Sequence, residues 1–133
     1  MIYLLDTNIC IYLINRKPSD LIERIEQEKP SDVGLSSITV SELYYGVYKS
    51  VQVEKNQTAL AQFLMPFEII PYIAEMAEQF GKVRAALERR GKPIGAYDML
   101  IAVEALYHDL TLVTNNVKEF NRIPELKIEN WLK

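Results

Sequence analysis

The sequence predicts an α/β fold in which a short, mainly parallel sheet carries helices on both faces. Two observations lead to this class. Short apolar runs alternate with longer segments whose apolar residues recur at helical spacing, and the first run, Ile2 to Leu5, passes directly into a helical segment, as an α/β unit begins. Polar residues also gather where the chain leaves these runs, and in parallel sheets the carboxyl ends of the strands are where ligands bind.

The elements follow in order. After the first strand, Thr7 to Arg16 reads as a helix stopped by Pro18, and Ser19 to Glu28 as an amphipathic helix with Leu21, Ile22 and Ile25 on one side. Val33 to Ser37 is the second strand and Thr39 to Ser50 the helix behind it. Residues 54 to 64 form a further helix before Pro66, and Phe67 to Ile70 the third strand. From Tyr72 to Arg90, Ile73, Met76, Ala77, Phe80, Val83 and Leu87 mark a long helix, with Gly91 supplying its stop. Ala96 to Tyr107 is the next helix, Leu110 to Val113 the fourth strand, Asn116 to Phe120 a short turn or helix, and Lys127 to Glu129 an edge strand.

At 133 residues, 49% apolar and 25% charged, the chain has the composition of an ordinary globular protein, and one domain over residues 1–133 is expected. The apolar N-terminus is interrupted by Asp6 and has no basic residue before it, so it reads as neither a signal peptide nor a membrane span. The single cysteine, Cys10, excludes a disulfide framework and a Cys/His zinc site, and a cytoplasmic location is expected. The net charge of −3 lacks the basic footprint of proteins that hold nucleic acid by phosphate neutralisation. A nuclease built on carboxylates and metal remains compatible with it.

Asp6, in the stretch LLDTN, is costly among apolar residues unless it is paired, hydrogen-bonded or metal-bound. Asp6 and Thr7 are equally good helix caps and good functional residues. Glu42 matches a capping box with Thr39, in Thr39-Val40-Ser41-Glu42. Asp98 lies in the first turn of its helix and shares a side with Ile94, Ile101, Ala102 and Ala105, so its carboxylate calls for a partner. Asn115 and Asn116 serve as turn and cap residues after a strand, and Glu119 follows one turn later. His108 is the only histidine and sits at a helix end, so no Ser-His-Asp or Cys-His arrangement is available. If the acids converge, their repulsion calls for a divalent cation, and oxygen donors without His or Cys suit Mg²⁺, with Mn²⁺ a substitute.

Taken in order, LLDTNICIYLI, SSITVSELYYGV, KPIGAYDMLIAVEAL and LVTNNVKEF resemble the PIN-domain ribonucleases, specifically the VapC toxins of bacterial toxin–antitoxin systems. The resemblance runs from Ile2 to Trp131. It implies a three-layer α/β/α fold and an Mg²⁺-dependent endoribonuclease in which Asp6, Glu42 and Asp98 are the metal-binding acids and Thr7 supports the first of them. Many PIN domains carry Asp where this chain has Asn116, which leaves Asn116 to bind or orient and Glu119 to supply the missing charge.

The implied reaction is hydrolysis of an RNA phosphodiester by metal-activated water, with tRNA the leading substrate. Lys82, Arg84, Arg89, Arg90 and Lys92 are candidate phosphate contacts, although a solvated helix face explains them equally well. The family implies a homodimer and a VapB-like antitoxin, for which Tyr44, Tyr45 and Tyr48 offer interface residues. Two rivals stand beside this reading. An aspartyl phosphatase needs D-x-D, which Asp6-Thr7-Asn8 lacks; a PIN-fold binding module with a degenerate site would keep the fold and bind RNA or protein without cleaving.

Overall fold

The computed structural model describes residues 1–132. Strands β1 (Tyr3–Leu5), β2 (Val33–Ser36), β3 (Glu68–Ile70), β4 (Thr111–Val113) and β5 (Lys127–Glu129) form one sheet in the order β3-β2-β1-β4-β5, with every pairing parallel. The helices are α1 (Thr7–Ile14), α2 (Ser19–Glu26), α3 (Ser37–Lys49), α4 (Val53–Leu64), α5 (Ala77–Arg89), α6 (Ala96–Tyr107) and α7 (Val117–Phe120). Parallel neighbours cannot be joined by a two-residue turn, so the connections between strands carry the helices that cover the sheet.

The central strand shows how the layers are built. Successive side chains of a strand point to opposite faces, and Leu4 and Leu5 are both fully buried, each in a different core. Leu4 packs with Met76, Leu87, Met99, Leu112 and Phe120 beneath α5, α6 and α7. Leu5 packs with Ile9, Leu13, Leu21, Leu43 and Leu60 beneath α1 to α4, where Cys10 is also fully buried. Trp131 closes this second core, edge-on to Tyr3 at 5.0 Å, with the Arg24 guanidinium 4.3 Å from its ring centre. Among the described residues, no helix is long and apolar enough to cross a membrane.

Local chemistry moves several boundaries from their expected places. The capping box at Thr39 does not form: Ser36, at the end of β2, caps α3 by accepting a hydrogen bond from the Ile38 N–H at 2.9 Å. The helix therefore begins at Ser37, and Thr39 and Glu42 fall inside it, free for other partners. The long helix expected from Tyr72 is instead a tight turn at Ala74–Met76 leading into α5. The first helix stops at Ile14, with Asn15 as its cap and Arg16 in the left-handed region at φ 57°. Gly91 ends α5 as predicted, at φ 70°, with the Lys92 N–H bonded to the Leu87 carbonyl at 2.9 Å and its own N–H to the Glu88 carbonyl at 3.0 Å.

The strand order determines where a site can lie. The connections from β1 lead to β2 on one side, while β4 pairs on the other, so the order switches at β1 and a crevice opens at its carboxyl end. Leu4→Ala or Leu5→Ala, each emptying one side of this strand, is expected to cost about 2–5 kcal/mol in urea denaturation. A cost under about 1 kcal/mol in either variant would contradict the two-core packing.

Candidate active site

The buried polar side chains collect at the carboxyl end of the sheet. Asp6 follows β1, Ser36 ends β2, Thr39 lies in the first turn of α3 and Thr114 follows β4, while Glu104 reaches Ser36 from α6. A polar group in an apolar interior is tolerated only with partners, so this grouping marks where the fold accepts polarity.

Asp6 is 5% exposed. Its backbone N–H extends the β1–β4 ladder by donating to the Val113 carbonyl at 3.0 Å, and its Oδ1 caps α1 by accepting from the Ile9 N–H at 2.9 Å. Its Oδ2 accepts from the Thr114 hydroxyl, which in turn accepts from the Asn116 N–H at 2.9 Å. The capping and functional readings of Asp6 are thus compatible: one oxygen caps, and the other faces the end of β4. Burial pushes the Asp6 carboxyl above its ordinary range and the Glu42 charge adds to the rise; the Thr114 hydroxyl and the Ile9 and Asn8 N–H groups oppose it.

Thr7 joins the first acid to the second. Its hydroxyl donates to Glu42 Oε1 at 2.6 Å and lies 3.1 Å from the buried Thr39 hydroxyl. Glu42 is therefore held by a side chain of α1 and not by the start of its own helix. On the other flank, Glu119 accepts from Asn116 Nδ2 at 2.9 Å and from the Gly95 N–H at 3.3 Å, at the start of α6 where no side chain of that helix provides a cap. Arg122 braces the same loop by donating to the Pro93 carbonyl at 2.7 Å. Asn116 and Glu119 thus form a unit that positions the first turn of α6, and Asp98 with it.

Asp98, partly buried, has its carboxyl raised to about 6, first by desolvation and then by the charges of Glu119, Asp6 and Glu42. The four acids, drawn from four helical segments or strand ends, share one electrostatic neighbourhood. Among the described residues, however, no three Asp, Glu, His or Cys side chains are arranged to hold a metal ion. The donor set fits a hard divalent cation held by one or two carboxylates with water completing its shell, and does not fit an all-protein cage.

The basic residues singled out in the sequence lie elsewhere. Arg84 pairs with Glu88 at 3.2 Å and Lys82 with Glu78 at 3.0 Å, as i,i+4 pairs on α5. Arg89 and Arg90 line a cleft of about 440 Å³ with Val83, Leu106 and Ile123, which contains none of the four acids. Lys92 is exposed in the following loop. Lys49, passed over in the sequence, lines a groove with Thr7 and Glu42. It lies seven residues beyond Glu42, two helical turns along the same face, a spacing that was available as a signal. Thr114 and Ser36 were also missed, because a threonine or serine at a strand end looks like any turn residue until its partner across the sheet is known. Of the three tyrosines after Glu42, Tyr44 packs on the core while Tyr45 and Tyr48 are exposed.

The sequence matches the PIN domain family over residues 3–126. It is 48% identical over 134 residues to ribonuclease VapC2 of Rickettsia felis, with 100% of both chains covered. It is 42% identical to the tRNA(fMet)-specific endonuclease VapC of Salmonella typhimurium, with 97% of both covered. The fold superposes with a TM-score of 0.93 on the crystal structure of VapBC2 from Rickettsia felis bound to a promoter DNA fragment, at 46% identity, covering 99% of this chain and 100% of that one.

Two outcomes test the geometry. Thr114→Val removes a donor from Asp6 and an acceptor from Asn116, and is expected to cost about 1–3 kcal/mol in chemical denaturation; a neutral substitution would mean the hydroxyl is dispensable. Asp6, Asp98 (about 6) and Glu104 (about 7, chiefly through desolvation) all bind their protons more tightly folded than unfolded. Their protonated forms therefore favour the fold, and this contribution declines as pH rises through the ordinary carboxylate range to about 7. Metal-free melts should show a higher Tm near pH 5.5 than near pH 8, with Glu104→Gln flattening the trend; an unchanged slope in that variant would remove Glu104 from the explanation.

Proposed function

The chain belongs to the PIN-domain family, among its VapC ribonuclease toxins, and on that premise we propose that it is a Mg²⁺-dependent endoribonuclease whose centre is Asp6, Glu42 and Asp98, with Mn²⁺ an effective substitute. The observation that carries this reading is the hydrogen-bonded placement of Asp6 after β1, of Glu42 against Thr7 of α1, and of the start of α6 with Asp98 against Glu119, in a chain of this family. Burial, and then the charges of Glu119, Asp6 and Glu42, raise the Asp98 carboxyl, a rise that a cation would relieve. When bound, a divalent cation supplies Lewis acidity: it lets water attack at neutral pH and offsets charge developing on the phosphate.

The chain's own residues prepare this chemistry. Thr114 and the Ile9 N–H fix both oxygens of Asp6, so its carboxylate is aligned before any ligand arrives. Thr7 orients Glu42 from α1, leaving the second carboxylate oxygen to accept from an attacking water. Asn116 and Glu119 hold the start of α6 and so the approach of Asp98. In this reading Asn116 orients and Glu119 supplies the fourth negative charge. Arg89, Arg90 and Lys92, exposed beyond the centre, are available to phosphates further along the RNA.

The substrate we favour is tRNA, with initiator tRNA first, since a relative of 42% identity is a tRNA(fMet)-specific endonuclease. The partner is a cognate VapB-like antitoxin, supported by a structural neighbour of 46% identity solved as VapBC2. We place the protein in the cytoplasm as a single-domain homodimer that the antitoxin binds.

Asp6→Asn and Asp98→Asn are each expected to abolish Mg²⁺-dependent cleavage of purified tRNA while preserving the thermal transition, and chelation is expected to silence the unaltered protein. Full cleavage by folded Asp98→Asn protein would overturn the assignment. Failure of the unaltered protein to cleave RNA or bind Mg²⁺ or Mn²⁺ would favour the binding-module alternative.

A further inference from the structure

A groove of about 740 Å³ lies against α1, α3 and the first turn of α6 and takes in Glu42 of the acidic centre. Thr7 and Glu42 lie at one end, Ile11, Ile38 and Gly46 give an apolar lining, and Tyr45, Tyr97 and Lys49 complete the wall. Tyr45 is 67% exposed and Tyr97 61% exposed, so neither ring is taken up by the core. Each is tied to the centre by sequence: Tyr97 immediately precedes Asp98, and Tyr45 lies three residues after Glu42, on the same helix face. Lys49 Nζ lies 5.2 Å from the Tyr45 ring centre, so this wall presents an aromatic surface and a cation together.

We propose that Tyr45 and Tyr97 form a stacking subsite for unpaired bases beside the scissile phosphate, with Lys49 taking a neighbouring phosphate. The inference deepens the ribonuclease reading and rests on it for the identity of the substrate. The reasoning is electrostatic as well as geometric. A chain of net charge −3, with Glu42 in the groove, gains little from general attraction to phosphate. Affinity must come from contacts indifferent to that charge, and every base has a face that can stack on tyrosine. Bases within a duplex are already stacked on their neighbours and offer the protein no free face. The groove includes Glu42, and Tyr97 in its wall adjoins Asp98 in the chain, which favours an RNA strand there; an apolar peptide would also fit its lining, and the test includes that outcome.

The test uses the full-length protein and a single-stranded oligoribonucleotide. Tyr97→Leu or Tyr45→Leu should raise KM for it by about tenfold and change kcat far less, and the corresponding Phe variants should restore it because they keep the ring. Binding is read without cleavage by quenching of a 2-aminopurine base in the single strand, using Asp98→Asn protein with and without each Leu substitution. Quenching that depends on the tyrosines supports the subsite even if the unaltered protein cuts no RNA, which would defeat the ribonuclease reading alone. Leu variants with unchanged KM and quenching would overturn the proposal. So would Leu variants that lose affinity only for an antitoxin peptide.

Discussion

The hydrogen bond from Thr114 to Asp6 is the contact on which the rest of the site depends. It joins the residue after β1 to the residue after β4 across the point where strand order reverses, and it gives a 5%-exposed carboxylate a partner within the protein. Each end carries further structure: Asp6 caps α1, so the first helix is aimed by the same side chain, and Thr114 takes the Asn116 N–H, which leads into α7. Burial of the acid is sustained because hydroxyl and amide donors oppose part of its desolvation.

From that contact the polar network spreads to both flanks by single hydrogen bonds. Thr7 brings in Glu42 on α3, while Asn116 and Glu119 bring in the start of α6 and therefore Asp98. The two cores on either side of β1 supply the rigidity that holds these helices at their separations. The outcome is an acidic centre that is braced by neutral donors and left electrostatically unsatisfied, with Asp98 raised to about 6. Such a state raises the energy of the metal-free protein, and in the proposed function a bound cation would relieve it.

Glu104 shows that the same polar layer extends beyond the centre. It is fully buried in α6, where one oxygen accepts from Ser36 and the other has no hydrogen-bond partner among the described residues. Ser36 at the same time caps α3, so the carboxyl of one helix bears on the start of another. An unpartnered oxygen favours the protonated acid, in keeping with its rise to about 7. Its chief consequence for the site is mechanical, since α3 carries Glu42 and α6 carries Asp98.

Much of this was legible in the sequence, and the division follows the range of the forces involved. Apolar periodicity is local: it showed the alternation of strands and helices, the stop at Gly91 and the candidacy of Asp6, Glu42 and Asp98. The motif order in LLDTN, SSITVSEL, GAYDML and VTNN was enough to suggest the family. What the sequence could not decide were matters of partnership across the sheet. The apparent capping box at Thr39 was displaced because Ser36 reaches the Ile38 N–H first. Thr114 looked like a turn residue until β1 and β4 became neighbours, and the arginines near Asp98 in sequence proved to line another cleft, while Lys49 reached the groove. Hydrogen bonds and charges act over a few ångströms in space without regard to sequence separation. The residues therefore determined which chemistry was available, and only the packed sheet decided which side chains meet to perform it.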